Sequence, residues 1–113
     1  MKKLYSILIL IVFGITQIYA QCYQCDSITK AFSIGTSAAI GINSFAGGSG
    51  SGASGENSFV FGDNAFATNL GSIAIGNRAK STAANSFVFG QYVTGGGYNS
   101  ITFGLGTSFI SIT

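Results

Sequence analysis

The chain has 113 residues, of which 47% are hydrophobic and only 7% are charged, and it contains no histidine and no proline. The absence of histidine removes the commonest general base and metal ligand, which argues against an enzyme and against a metal or cofactor site. Disorder usually accompanies high charge and low hydrophobicity, so this composition predicts one small folded domain.

Residues 1–20 have the order of a secretory signal peptide. Lys2 and Lys3 precede an apolar run from Leu4 to Ile15, and Ala20 provides a small residue at a cleavage point. The apolar run is too short for a comfortable membrane span of about 20 residues. We therefore expect cleavage near Ala20 and a protein that is secreted or displayed at the cell surface.

The charges that remain after residue 20 balance. There are three cations and three anions, namely Lys30, Arg78, Lys80, Asp26, Glu56 and Asp63. No basic stripe is available to hold a phosphate backbone, so nucleic acid is not an expected partner. The sequence also offers no arrangement for a small-molecule substrate, because no catalytic set of side chains is present.

Residues 21–36 are predicted to be a lead-in that contains a C-x-x-C pair. Cys22 and Cys25 lack both the thioredoxin-like surroundings of a redox motif and the second cysteine pair of a zinc site. In an exported protein such a pair is typical of a local disulfide or of a tethered chain end, and the sequence leaves these two options open.

From residue 37 to residue 113 the chain is organised by a 14-residue repeat. The segments that begin at positions 57, 71, 85 and 99 read NSFVFG, GSIAIG, NSFVFG and NSITFG, without any insertion between them. A weaker copy begins at Asn43. The glycine- and serine-rich stretch from Gly47 to Gly55 keeps the seven-residue register, so it is either a degenerate coil or a flexible linker.

Apolar and small residues alternate within each repeat, which predicts a β-strand bounded by glycine corners. Equivalent strands should stack in parallel, about 4.8 Å apart, into a β-solenoid. We assign the bulky columns to the interior, against a small-residue partner strand that carries Ala65 and Ala67 and their equivalents. The predicted core residues are Phe59, Phe61, Ile73, Ile75, Phe87, Phe89, Ile101 and Phe103.

Glycine recurs every seven residues, and its tolerance of positive φ suits a chain that must turn at that interval. The predicted turn residues are Gly62, Gly76, Gly90 and Gly104. An uncharged column then remains on the outer side of the same strands. A thin solenoid usually needs assembly for stability, so we predict that this column lines a homotrimer contact. Its members are Val60, Ala74, Val88 and Thr102.

The recurring Asn-Ser-apolar-x-apolar-Gly motif resembles the YadA-like head repeats, also called Hep/Hag-type repeats, of trimeric autotransporter adhesins. The resemblance covers about residues 37–111. It implies a left-handed parallel β-roll, assembly as a trimer, and attachment to extracellular matrix or other surface proteins at the bacterial outer membrane. The chain departs from that pattern because it lacks the apolar heptads of a coiled-coil stalk and a barrel-forming anchor.

We therefore expect a non-enzymatic, adhesin-like head module. A structural spacer or matrix repeat without its own ligand is the alternative, and an ice-binding solenoid is a weaker one because threonine forms no ladder. An exposed binding patch would separate adhesin from spacer. The distinctive candidates for such a patch are Phe66, Arg78, Lys80, Tyr92 and Tyr98.

Overall fold

A computed structural model describes residues 2–8, 28–106 and 108–112 of the chain. Residues 2–8 form a short helix, α1, and the rest of the described chain is β-structure. No helix within these residues is long and apolar enough to cross a membrane. The predicted cleavage point at Ala20 and the Cys22–Cys25 pair lie outside the described residues, so both stay predictions.

Twelve strands wind into a β-roll with two sheets. They are β1 (Phe32–Gly35), β2 (Ala38–Ala39), β3 (Phe45–Ser49), β4 (Gly52–Ala53), β5 (Phe59–Asp63), β6 (Phe66–Ala67), β7 (Ile73–Ile75), β8 (Lys80–Ser81), β9 (Phe87–Gln91), β10 (Thr94–Gly95), β11 (Ile101–Leu105) and β12 (Ser108–Ile112). Odd-numbered strands build a seven-stranded sheet that β12 completes, and β2, β4, β6, β8 and β10 build a five-stranded sheet. All pairs are parallel except β11 with β12. The predicted all-β parallel solenoid is confirmed.

The roll begins earlier than the sequence suggested. Strand β1 lies within the segment 21–36, yet Phe32 pairs with Phe45 in the same parallel sheet. That offset is 13 residues, whereas Phe45 pairs with Phe59 at the regular offset of 14. The one-residue deletion hid the first coil from a search at fixed period, and the predicted lead-in therefore contains the first rung.

The glycine-rich stretch from Gly47 to Gly55 is a coil and not a linker. It supplies the end of β3 and the whole of β4, which pair with β5 and β6 respectively. Its glycines are required by close packing: a Cβ atom at Gly48 would lie 1.8 Å from the carbonyl oxygen of Gly62. The many glycines in this stretch therefore allow close backbone contact between successive rungs and do not indicate a flexible linker.

The predicted in-register columns exist, but their direction was wrong. Phe59, Ile73, Phe87 and Ile101 align rung by rung. They point away from the interior: Phe59, for example, is 38% exposed. All eight predicted core residues are half-buried or exposed; they are Phe59, Phe61, Ile73, Ile75, Phe87, Phe89, Ile101 and Phe103.

The interior is filled by small side chains from both sheets. Val60, Ala74, Val88 and Thr102 are almost fully buried, and they face a column on the five-stranded sheet that includes Ala67 and Ser81. Across the roll, a Cβ atom at Gly95 would come within 2.5 Å of Val88 Cγ2. The space between the sheets therefore has no room for a phenylalanine ring. The prediction that Ala65 and Ala67 and their equivalents point inward is confirmed.

The sharpest turns lie two residues beyond the predicted glycines. Left-handed backbone with φ between 51° and 64° recurs every seven residues from Asn43 to Gly106. Gly62 and Gly90 lie inside strands β5 and β9, and Gly76 directly follows β7; their φ values of 128° to 152° bend the chain as it leaves the sheet. Gly104 lies within β11. Asparagine, which tolerates the left-handed region, occupies five of these ten turn positions.

A buried serine closes one corner in four of the coils. Ser58, Ser72, Ser86 and Ser100 each donate a hydrogen bond to the carbonyl oxygen three residues earlier, at 2.6, 2.5, 2.8 and 2.6 Å. The equivalent hydroxyl of Ser44 is buried but has no hydrogen-bond partner among the described residues. The serine bonds satisfy backbone groups that the turn removes from the sheet. The Asn-Ser pair of the motif therefore encodes a corner: asparagine adopts the left-handed conformation and serine fastens it.

Candidate functional site

Two surfaces of the roll carry distinctive side chains, and they lie on opposite sheets. The outer side of the seven-stranded sheet is apolar over five coils. We call this surface the apolar face. It consists of Phe45, Phe59, Phe61, Ile73, Ile75, Phe87, Phe89, Ile101 and Phe103.

Aromatic stacking orders the apolar face along the roll. The rings of Phe45 and Phe59 stack with centroids 4.8 Å apart and an angle of 11° between their planes. Phe103 contacts Phe87 and Phe89 at 5.8 and 6.0 Å. Large exposed apolar patches are uncommon on monomeric soluble proteins and mark interaction surfaces. The parallel register repeats these rings on successive coils, so the face forms one continuous candidate surface for contact with a protein.

The predicted trimer contact is wrong in its residues. Val60, Ala74, Val88 and Thr102 lie inside the roll with at most 1% of their surface exposed, so no second subunit can reach them. Alternation along the strand was identified correctly, but the two sides of the strand were exchanged. The surface that remains for subunit contact on this sheet is the apolar face.

The second surface is a cation–aromatic patch on the five-stranded sheet. It surrounds an open cavity of about 470 Å³ that is lined by Asn64, Phe66, Arg78, Lys80, Tyr92 and Thr94. The sequence had singled out four of these side chains, and the fold brings them together. Tyr98, the fifth candidate, is 75% exposed but does not line the cavity.

Two stacked columns build the patch. Phe66, Lys80 and Thr94 occupy equivalent positions on β6, β8 and β10. Asn64, Arg78 and Tyr92 precede them by two residues at the corner, where backbone hydrogen bonds of 2.8 and 2.9 Å join Arg78 and Tyr92 to the coil before them. The guanidinium of Arg78 lies over the Tyr92 ring, 5.1 Å from its centroid. Such a contact favours one orientation of the cation.

Within residues 2–8, 28–106 and 108–112, no carboxylate pairs with either cation of the patch. Among the described residues, Arg78 and Lys80 form no salt bridge. The carboxylate of Asp63, which lies one coil earlier, instead accepts a hydrogen bond from Asn77 Nδ2 at 3.2 Å. The described residues also contain no group of three or more His, Cys, Asp or Glu that could hold a metal ion.

This architecture defines a class: a parallel β-roll of 14-residue coils with a small-residue interior and an apolar outer face. Comparison with family models is consistent with it, since the YadA head domain repeat matches in two copies, at residues 39–65 and 67–92. The chain therefore carries YadA head repeats. Searches of curated proteins and of solved structures gave no match.

The repeat gives a functional context. The YadA head family comprises cell-surface adhesins of the bacterial outer membrane that form trimers in general, and it is not known for catalysis. The match thus points to an adhesin-like module of the trimeric autotransporter type. It does not by itself identify a ligand.

Proposed function

We propose that this protein is a non-enzymatic head module that is displayed at or released from the cell surface, assembles as a homotrimer, and attaches to extracellular matrix or other surface ligands. The observation that carries the proposal is the combination of two YadA head repeats with an apolar face that the isolated roll leaves exposed. The signal-peptide pattern of residues 1–20 supports export.

The apolar face is the surface that assembly would cover. Phe61, Phe89 and Phe103 are 56%, 49% and 46% exposed, and their repetition on successive coils gives each subunit the same stripe along its length. Three copies can place their stripes around a common axis, so that every ring is withdrawn from water. Burial of such surface stabilises an oligomer by roughly 25 cal/mol for each Å².

Attachment would then use the sheets that face outward in the trimer. The five-stranded sheet lies behind the apolar face, and its cation–aromatic patch is therefore accessible while the subunits are in contact. This arrangement separates the assembly surface from the binding surface, as a head that must hold together and bind at once requires.

The test measures attachment of the purified chain. Fluorescent beads that carry the chain should adhere to surfaces coated with extracellular matrix protein and not to albumin-coated surfaces. Circular dichroism and sedimentation of the same sample establish that it is folded and trimeric. A folded trimer that adheres to neither surface would overturn the adhesin function and favour a structural spacer.

A further inference from the structure

We infer that the cation–aromatic patch binds an anionic saccharide, with the cations holding its carboxylate or sulfate groups and the aromatic rings packing against the apolar C–H face of a sugar. This inference rests on the proposed function, because it names the class of ligand through which the head would attach.

The composition of the patch fits a charged sugar. Arg78 and Lys80 project from neighbouring positions of one coil and lack a salt-bridge partner among the described residues. Phe66 and Tyr92, which are 37% and 53% exposed, border them on the adjacent coils. A sugar ring offers both an apolar face and charged or hydroxyl substituents, and Asn64 and Thr94 supply polar groups for the latter. Binding sites commonly combine aromatic surface with a few placed polar groups in this way.

The backbone gives a second, independent observation. Three of the left-handed turn residues from Lys30 to Gly106 are neither glycine nor asparagine: Lys30, Arg78 and Tyr92, with φ of 56°, 57° and 56°. Other L-residues are strained in this region. Arg78 and Tyr92 border the same cavity, whereas Lys30 precedes β1 and does not line it. Residues held in strained backbone cluster at functional sites, so the pairing of Arg78 and Tyr92 at one cavity supports a role for their side chains beyond the turn.

Other classes of ligand fit less well. A nucleic acid or an anionic membrane would require a longer row of cations than two. A peptide that adds a strand needs a free sheet edge, and in this sheet the edge beside the patch is β10, which carries only Thr94 of the patch. Lys80 and Phe66 lie on β8 and β6, which are paired on both sides, so these strands can contribute side chains only, which suits a saccharide.

The experiment measures binding of a heparin tetrasaccharide to the purified full chain by titration calorimetry at low salt. The variant that replaces both cations, Arg78→Gln with Lys80→Gln, should weaken binding by about tenfold or more, because two charge-assisted contacts are lost. Lys30→Gln removes the same kind of charge from the first coil and should change affinity by less than about twofold. Phe66→Ala should weaken binding without altering its salt dependence.

Three further probes identify what is recognised. A hyaluronan tetrasaccharide carries carboxylates without sulfates, so its binding shows that a carboxylate suffices, whereas binding of heparin alone assigns the site to sulfated sugars; either result supports the inference. Binding of neutral cellotetraose with equal affinity would overturn it. So would a hexaglutamate peptide that binds more tightly than both charged sugars, or equal loss of affinity in Lys30→Gln and in the double variant.

The two proposals can fail separately. If the wild-type chain adheres to matrix-coated surfaces and the double variant adheres equally well, the head function stands and the saccharide site is wrong. If the wild-type chain binds heparin tetrasaccharide at the patch but adheres to no matrix-coated surface, the site stands and the attachment function is wrong.

Discussion

Removal of one ring from the apolar face gives the sharpest test of assembly. Phe61 is 56% exposed in the isolated roll, which for a ring that can bury about 200 Å² leaves roughly 110 Å² for a partner to cover. At about 25 cal/mol per Å², Phe61→Ala removes roughly 2.8 kcal/mol of interface free energy per subunit, or about 8 kcal/mol per trimer. The trimer dissociation constant, in units of concentration squared, should rise by about six powers of ten.

Because that constant depends on the square of concentration, the chain concentration at half-assembly should rise by about a thousandfold. Analytical ultracentrifugation over a wide concentration range measures this midpoint. Circular dichroism on the same samples separates dissociation from unfolding. The trimer should thus dissociate into folded monomers whose β-structure is unchanged.

Phe66→Ala is the matched control, since it makes the same substitution on the opposite sheet. Phe66 is 37% exposed, so its removal deletes more contact within the roll and less outside it than removal of Phe61. If Phe61→Ala acted only by weakening the fold, Phe66→Ala would dissociate the trimer at least as strongly. That outcome, or a wild-type chain that stays monomeric and folded at every concentration, would refute the reasoning.

The remaining predictions concern the coil itself and are checked by thermal and urea unfolding. Gly76→Ala should destabilise the roll by about 3 kcal/mol or more, because the new Cβ would lie 1.9 Å from the Gly90 carbonyl oxygen at a φ of 128°. The control Gly96→Ala should cost less than about 1 kcal/mol, because its new Cβ meets only Thr82 Oγ1 at 3.3 Å. An equal loss of stability in the two variants would contradict the close approach of the rungs. Val88→Ala should destabilise the roll by leaving a cavity, and Gly95→Ala should destabilise it by overpacking. The double variant should recover part of the lost stability, whereas strictly additive losses would show that the two residues do not meet across the interior. Arg78→Asn should raise the stability of the roll by about 1 kcal/mol because it relieves strain in the left-handed backbone, and it should weaken binding of heparin tetrasaccharide. A loss of stability in this variant would show that Arg78 is not strained.

How much of the fold could be predicted from the sequence depended on the kind of signal. The 14-residue period fixed the rungs, their parallel pairing and the column alignment of Phe59 with Ile73 and Phe87, because a fixed offset leaves one register only. The same period missed β1, whose offset from β3 is 13 residues. Periodicity is thus a reliable guide to register and fails at the first insertion or deletion.

Which side of the strand faces inward could not be obtained from alternation alone. The alternating pattern is compatible with either Phe59 or Val60 facing inward, and hydrophobicity favours burial of the larger side chain, Phe59. The width of the interior decides between them, and the close approach of Gly95 to Val88 across the roll shows that only small side chains fit inside. One signal in the sequence does indicate the inward side. Ser58 lies on the same side of the strand as Val60, and its hydroxyl must reach the carbonyl oxygen at the corner.

The outward direction of the large side chains explains why a roll of this kind would gain stability from assembly. A roll whose interior holds alanine, serine and valine buries little apolar area per residue, while its largest side chains face outward. The monomer therefore obtains modest stabilisation from its own core and exposes the area that would supply the rest. In the proposed trimer, a second and third copy would cover that area without any change in the coil, and a longer array would gain stability with every coil added. The five-stranded sheet would take no part in the proposed contact, which leaves its side chains, such as those of Arg78 and Tyr92, available for a ligand.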